Sequence, residues 1–291
     1  MINGLSVIIC CYNSENRIKT TLEYLDHQIV NDLPWELIVV DNNCTDSTVD
    51  VVQEFLKDSI QLNTRTKVIN EANSGLNFAR MKGVSVSVFD VVLFCDDDNW
   101  LNPQYVQKCF DFLIQNKEFG IVGGNGVPEC EIVPPHWFEK LKGVYATGCR
   151  NDGEVTNVYG AGMAVLKSLL AELKFSLGDR RGNSLSSGGD SEMCFSVAKK
   201  GFKIRQLCKN TFKHFIPKER LTDDYILSMA KAYGETSAQL YLLENENPYK
   251  GVFYRFKTDL IFLSKKLFDF DFFNFKYEGI KKYYYWKTRF F

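Results

Sequence analysis

The sequence predicts an α/β protein built on a parallel sheet with both faces covered, and three observations carry that expectation. Apolar runs rich in β-branched residues recur at "LSVIIC" (5–10), "WELIVV" (35–40), "TKVI" (66–69) and "VVLFC" (91–95). Helical periodicities lie between them, so strands and helices alternate as in βαβ units. The runs are continuous rather than alternating, as expected of strands buried on both sides.

Taken in order, "LSVIIC" is the first strand. Ile18, Leu22 and Leu25 then fall at i, i+4, i+7 behind a cap candidate at Ser14. Val49, Val52 and Leu56 repeat the spacing after the second strand, behind Thr45 and Asp46. "NSGLNFARMKG" (73–83) reads as a turn and a helix, and "VVLFC" closes the apolar set. Past Pro103 the pattern loosens. "GIVGGNG", "VPPHWFE" and "VYGAGMAVL" read as short strands and glycine-rich turns. "LSSGGDSEMCFSVAKKGFKI" offers a loop, a helix from about Asp190 and another short strand.

The totals exclude several classes. Across 291 residues the hydrophobic share is 45% and the charged share 24%, which describes a globular chain with an ample core rather than a disordered one. A net charge of −1 gives no global signal for nucleic acid. The nine cysteines are scattered without metal-ligand spacing and read as reduced thiols of a cytoplasmic protein. "MINGLSVIICCYN" shows no basic n-region or cleavage site, and no apolar run reaches transmembrane length.

In parallel sheets ligands bind beyond the carboxyl ends of the strands, and three of these ends are polar. Tyr12 and Asn13 follow the first, Asp41 ends the second, and Asp96, Asp97 and Asp98 end the fourth. Three carboxylates after a buried strand repel one another and call for a counter-charge. They read either as helix caps or as ligands to a hard divalent cation shared with substrate phosphates. Asp41 is either a turn-former or an acceptor for a nucleotide's hydrogen-bond donors. Arg80 either sits in a plain helix or balances the carboxylates or contacts a nucleotide. Asp190, after two glycines, is either an N-cap or a general base on a hinged loop, with Glu192 near it. His214, with Lys218 and Arg220 nearby, is either structural or faces a diphosphate or metal.

Ordered along the chain, "SVIICCYN", "VVDNNCTDST", "NSGLNFARMKG", "LFCDDDNWLNP", "GAGMAV", "GGDSEMCFSVAKKG" and "KHFIPKERLT" resemble the bacterial-type, D-x-D-containing inverting glycosyltransferases of family 2. The resemblance covers about residues 4–225. It implies a GT-A fold, a Rossmann-like and mostly parallel central sheet flanked by helices. Residues 1–100 would be its nucleotide-sugar-binding half, 101–225 its acceptor-binding and catalytic half, and 226–291 a C-terminal helical tail.

The same resemblance implies transfer of a sugar from a nucleotide diphosphate sugar to the hydroxyl of a saccharide or lipid-linked saccharide, in polysaccharide or glycolipid synthesis. It implies Asp98 as ligand to Mn²⁺ or Mg²⁺, and Asp96 or Asp97 near the ribose and diphosphate. Tyr12, Asp41 and Arg80 would hold the base, His214 and Arg220 would lie near the diphosphate, and Asp190 would be the catalytic base. Cys10, Cys44 and Met81 stand where the family usually has Pro, Ser and Asn. Gly189 and Ser196 replace a common Glu and Arg, which touches acceptor contacts more than the base. Two alternatives stand beside this reading: a sugar-1-phosphate nucleotidyltransferase, disfavoured because "CCYNSENR" lacks glycine, and a nucleotide-sugar-binding subunit without turnover. No G-x-G-x-x-G follows a strand, so a Rossmann dehydrogenase is poorly supported.

The tail differs from the rest. Residues 252–291 hold nine Lys/Arg against four Asp/Glu, a net of +5 that leaves −6 elsewhere, and 16 of the 41 aromatics. Phe253, Phe256, Leu260, Leu263 and Leu267 predict an apolar-striped helix over 250–268. The stripe either packs on the protein or joins the following aromatic and basic run at an anionic, cytoplasmic membrane surface.

Overall fold

A computed structural model describes residues 2–149, 151–177, 179–180, 185, 188–244, 259 and 272–290. The chain divides into two compact units. The first comprises Met1–Glu129, Tyr145–Phe175 and Asp190–Phe215, and the second Cys130–Val144, Ser176–Gly189 and Ile216–Phe291.

The first unit is organised by the sheet. Its strands are β1 (Leu5–Cys11), β2 (Trp35–Asp41), β3 (Thr66–Asn70), β4 (Val91–Asp96), β5 (Asn99–Leu101), β6 (Phe119–Cys130), β7 (Gly153–Val155), β8 (Ala164–Leu166) and β9 (Lys203–Ile216). Their order is β3-β2-β1-β4-β8-β6-β9-β5, with β7 paired to β9. The four apolar runs form the parallel part, β3-β2-β1-β4. From β8 onward these pairs run antiparallel: β4 with β8, β8 with β6, and β9 with both β5 and β7.

Helices α1 (Ile18–Asp26), α2 (Thr48–Asp58), α3 (Leu76–Val86), α4 (Tyr105–Gln115) and α6 (Gly189–Lys199) surround this sheet, and the short α5 (Phe138–Leu141) belongs to the second unit. Alternate residues of β1 feed two cores. Leu5, Val7, Ile9 and Cys11 pack with Ile18, Leu22 and Leu25 of α1, while Ile8 packs with Ala79 and Val84 of α3. That division is the period-two geometry of a strand covered on both faces. Gly83 lets α3 approach closely, since a Cβ there would lie 2.5 Å from Ile8 Cγ2. The region after Pro103 holds longer strands than its sequence suggested. β6 and β9 run for 12 and 14 residues, because glycines and exposed polar positions break the apolar pattern without breaking the pairing.

One expectation about cysteine is corrected. Cys149 and Cys208 are disulfide-bonded, with Cα atoms 5.4 Å apart, while the other seven cysteines are free. Fifty-nine residues separate the pair, and the register of β7 against β9, Gly153 opposite Gln206, brings the two segments together. Disulfides are rare in reducing compartments, so the cysteines no longer argue for the cytoplasm.

In the second unit α7 (Asp223–Glu244) packs against α8 (Phe272–Phe290). A Cβ on Gly234 would collide with the Lys281 carbonyl oxygen, so glycine sets this close approach. Tyr277, Tyr285 and Arg289 are buried on α8, and the Arg289 guanidinium lies 3.9 Å over the Tyr241 ring of α7. This part of the tail therefore packs within the protein. The helix expected over 250–268 lies outside the described residues, apart from a helical Asp259. No helix among the described residues is long and apolar enough to cross a membrane.

Candidate active site

Strand register gathers the polar strand ends at one edge. Cys11 of β1 lies opposite Asp41 of β2, Cys10 opposite Asp96 of β4, and Asp41 opposite Asn70 of β3. Val91 to Cys95 are all buried, so the aspartates emerge only where β4 ends. The chain then turns into β5, whose Asn99 pairs with His214 of β9. This pairing brings a histidine from far along the chain to the triplet. His214 Nε2 stands 3.3 Å from Asp98 Oδ1, and the Phe215 N–H donates to the Asp98 carbonyl at 2.9 Å.

The three carboxylates meet different surroundings. Asp97 turns inward, accepting from Arg17 Nε and Nη2 at 2.9 Å each and from the Ser14 hydroxyl. Its carbonyl accepts from Thr21 Oγ1 at 2.8 Å. Asp98 is buried beside His214, and Asn99 Nδ2 donates to its Oδ1 at 3.3 Å. Asp96 is partly exposed, and its side chain takes no hydrogen bond from a described residue. Burial raises its pKa above the usual carboxylate value. Arg80 and His214 pull it down, and Asp98 and Asp97 push it up. The counter-charges the triplet demanded are thus Arg17 for Asp97 and Arg80 for Asp96, while His214 adjoins Asp98.

Arg80 lies on α3, buried, with its guanidinium 5.4 Å over the Phe94 ring. Gly160 makes room for it: a Cβ there would collide with Arg80 Nη2 and stand 3.3 Å from Asp190 Cβ. Asp190 opens α6 partly exposed, accepting from the Gly160 N–H at 3.1 Å and the Ser191 N–H at 2.9 Å. The Gly160 turn therefore binds the α6 carboxylate and packs closely on Arg80, whose charge acts on Asp96. Glu192 is buried in the same helix.

At the other side, Tyr12 is 46% exposed. Asp41 closes its turn by accepting the Cys44 N–H at 2.8 Å, and it also accepts Asn70 Nδ2 at 3.2 Å. The turn-forming and ligand-facing readings of Asp41 are compatible, because each carboxylate oxygen keeps a lone pair. Burial pushes the Cys44 thiol up to about 11, so it stays protonated and is no nucleophile. Arg220 lies in the second unit, in a 3-10 turn at Lys218–Arg220.

Arg17 escaped the sequence reading, although a signal existed. It stands at the N-terminus of α1, where the helix dipole disfavours a cation by roughly 0.3–1 kcal/mol, so an anionic partner was to be sought.

Among the described residues no three His, Cys, Asp or Glu side chains form a metal cluster. A hard divalent cation held by one or two carboxylates does not require one, since substrate phosphates and water complete its shell. The residues fit that case. Asp98 and His214 adjoin, Asp96 lacks hydrogen-bond donors, and His214 Nδ1 is buried without a partner.

Comparison with known proteins then decides the family. The model described as glycosyl transferase family 2 matches residues 6–173, more than half of the chain. The chain belongs to glycosyltransferase family 2. It is similar to the glucosyl-dolichyl phosphate glucuronosyltransferase of Haloferax volcanii, 28% identical over 177 residues, 58% of this chain and 54% of that protein. It spans about half the length, or less, of the curated relatives it matches. Its fold is that of GT-A structures. The mannosyltransferase PcManGT from Pyrobaculum calidifontis, solved with GDP-Man and Mn²⁺, aligns with a TM-score of 0.60 at 18% identity, over 81% of this chain and 64% of that one. S. aureus TarS 1–349, in complex with UDP-GlcNAc, aligns at 0.54 and 20% identity, over 79% and 65%.

Proposed function

We propose that this family-2 chain transfers a sugar, with inversion, from a nucleoside diphosphate sugar to an acceptor hydroxyl in cell-surface polysaccharide or glycolipid synthesis. The observation that supports this most is that one unit holds both Asp98, 3.3 Å from His214 beside Asp96, and Asp190, held by the Gly160 turn that packs closely on Arg80. That TarS was solved with UDP-GlcNAc and PcManGT with GDP-Man supports the donor class.

In this reading Tyr12 and Asp41 hold the base, Asp96 faces the ribose and diphosphate, and Asp98, with His214 beside it, holds Mn²⁺ or Mg²⁺. The bound cation would supply Lewis-acid stabilisation of charge on the leaving diphosphate. Arg80 adds positive charge beside the same carboxylates. Asp97 takes a supporting part through Arg17 rather than facing the ligand.

Asp190 would remove the proton from the acceptor hydroxyl as that oxygen attacks C1 from the face opposite the leaving group. Its carboxylate is oriented by the Gly160 and Ser191 N–H groups, which leaves lone pairs for the proton. The test is Asp190→Asn, which keeps shape and one acceptor oxygen. Turnover should fall by more than about a hundredfold with nucleotide affinity near normal. Turnover close to wild type would reduce Asp190 to a helix-terminal residue.

The acceptor is a saccharide or lipid-linked saccharide, and the tail supports the lipid-linked form. On α8 the face opposite the buried tyrosines exposes Lys276, Tyr283 and Lys287, with Tyr283 61% exposed. Each lysine near an anionic surface contributes about 1 kcal/mol, and tyrosine favours the bilayer interface. This face would rest on the cytoplasmic leaflet. Sedimentation with anionic vesicles should fall several-fold in Lys276→Glu/Lys287→Glu and at high salt. Equal sedimentation of variant and wild type would assign the tail to intramolecular packing alone.

A further inference from the structure

Arg17 makes more contacts than a brace for one carboxylate requires. Its side chain is 25% exposed. Nε and Nη2 grip the two oxygens of Asp97 at 2.9 Å, a two-pronged pairing that fixes angle as well as distance. Nη1 donates to the Asn13 carbonyl at 2.9 Å, and Nη2 reaches the Tyr12 carbonyl at 3.2 Å and Ser14 Oγ at 3.1 Å. One guanidinium thus ties three consecutive residues of the loop after β1 to the middle of the acid triplet.

The loop it holds is not relaxed. Asn13 has φ 50°, in the left-handed region, and its side chain accepts the Thr45 N–H at 2.8 Å from the loop after β2. Tyr12, immediately before it, is exposed at the rim. On the other side of Arg17, Asp97 sits between Asp96 and Asp98. Anchoring the middle residue from behind leaves its two neighbours to face the site. A cation at a helix N-terminus is locally unfavourable, and Asp97 supplies the compensating charge.

We propose that Arg17 is a positioning residue that couples the nucleobase rim at Tyr12 to the diphosphate and metal rim at Asp96 and Asp98, by clamping Asp97 to the loop after β1. The proposal rests on the donor-site reading above. Arg17 touches no reacting atom in it. It sets the relative placement of two groups that must engage one nucleotide together, and small losses of such placement weaken binding strongly.

Arg17→Lys keeps the charge and loses the fork, which is not a conservative exchange at a two-pronged site. Asp97→Asn keeps the shape and loses the charge. Both are compared with wild type by calorimetric titration of UDP and GDP with and without Mn²⁺, by thermal unfolding, and by a double-mutant cycle. Each single variant is expected to weaken Mn²⁺-dependent nucleotide binding by about tenfold while remaining folded, and the double variant no more than the worse single one, as for members of one contact. If Arg17→Lys does not fold, Asp97→Asn carries the comparison.

Unchanged nucleotide and Mn²⁺ dependence in folded variants, with only the unfolding temperature lowered, would overturn the positioning role and leave a structural brace. Additive effects in the double variant would overturn the clamp. Absence of Mn²⁺-dependent nucleotide binding in the wild type would overturn the donor-site reading, and this proposal with it.

Discussion

Asp26 and Asp96 are both aspartates at the end of a secondary-structure element, and the protein treats them in opposite ways. Asp26, buried at the end of α1, accepts from Ser59 Oγ at 2.6 Å and from the N–H groups of Ile60, Gln61 and Leu62 at 3.1, 2.8 and 3.3 Å. Burial alone would raise its pKa, but these donors outweigh it and hold the carboxyl below its ordinary value. Asp96, at the end of β4, is raised by burial, which outweighs the pull of Arg80, and no described residue donates a hydrogen bond to its side chain. The first carboxylate is satisfied by its own chain. The second is arranged as though its partner comes from outside. Donor supply rather than burial separates the two acids.

The comparison breaks first at Asp26. Asp26→Ala should lower stability by about 3 kcal/mol, because buried N–H groups that ordered the 59–62 loop lose a charged acceptor. Nucleotide binding should be unaffected. Asp96→Asn should leave the metal-free protein as stable as wild type or more so, since it removes a carboxylate that burial disfavours when ionised. The pH dependence has opposite signs at the two sites. The depressed Asp26 contributes stability above its unfolded value, near 3.9, and loses it as pH falls through the lower folded value. The raised Asp96 contributes most below its unfolded value and loses that contribution as pH rises through the higher folded one. Denaturant unfolding of both variants across acid to neutral pH checks this. Equal destabilisation by the two substitutions would erase the distinction.

The sequence disclosed these two acids unequally. The four parallel strands were legible within a residue or so, because burial on both faces writes an unbroken apolar run. α1 and α2 followed from period and cap candidates, and α3 and α6 from the turn and loop before them, although Ser14, read as a cap, gives its hydroxyl to Asp97 instead. What stayed hidden depends on contacts between distant segments. The pairing of β5 with β9 sets His214 beside Asp98, and no local pattern announces it. The inward turn of Asp97 toward Arg17 and the Cys149–Cys208 bond are hidden for the same reason. Motif order pointed to the candidate residues, while strand pairing decides which carboxylate turns toward the protein, as Asp97 does toward Arg17, and which does not.

The central claim is that the edge formed by β1, β2 and β4 binds a nucleoside diphosphate through a metal held at Asp98. Thermal unfolding of the wild type and Asp98→Ala, each with UDP and GDP in the presence and absence of Mn²⁺, tests it most directly, because a ligand stabilises in proportion to its occupancy. The wild type should show a rise in Tm with nucleotide and Mn²⁺ together and no rise with either alone, and a folded Asp98→Ala should show none under any condition. An equal rise in the variant, or none in the wild type, would contradict it.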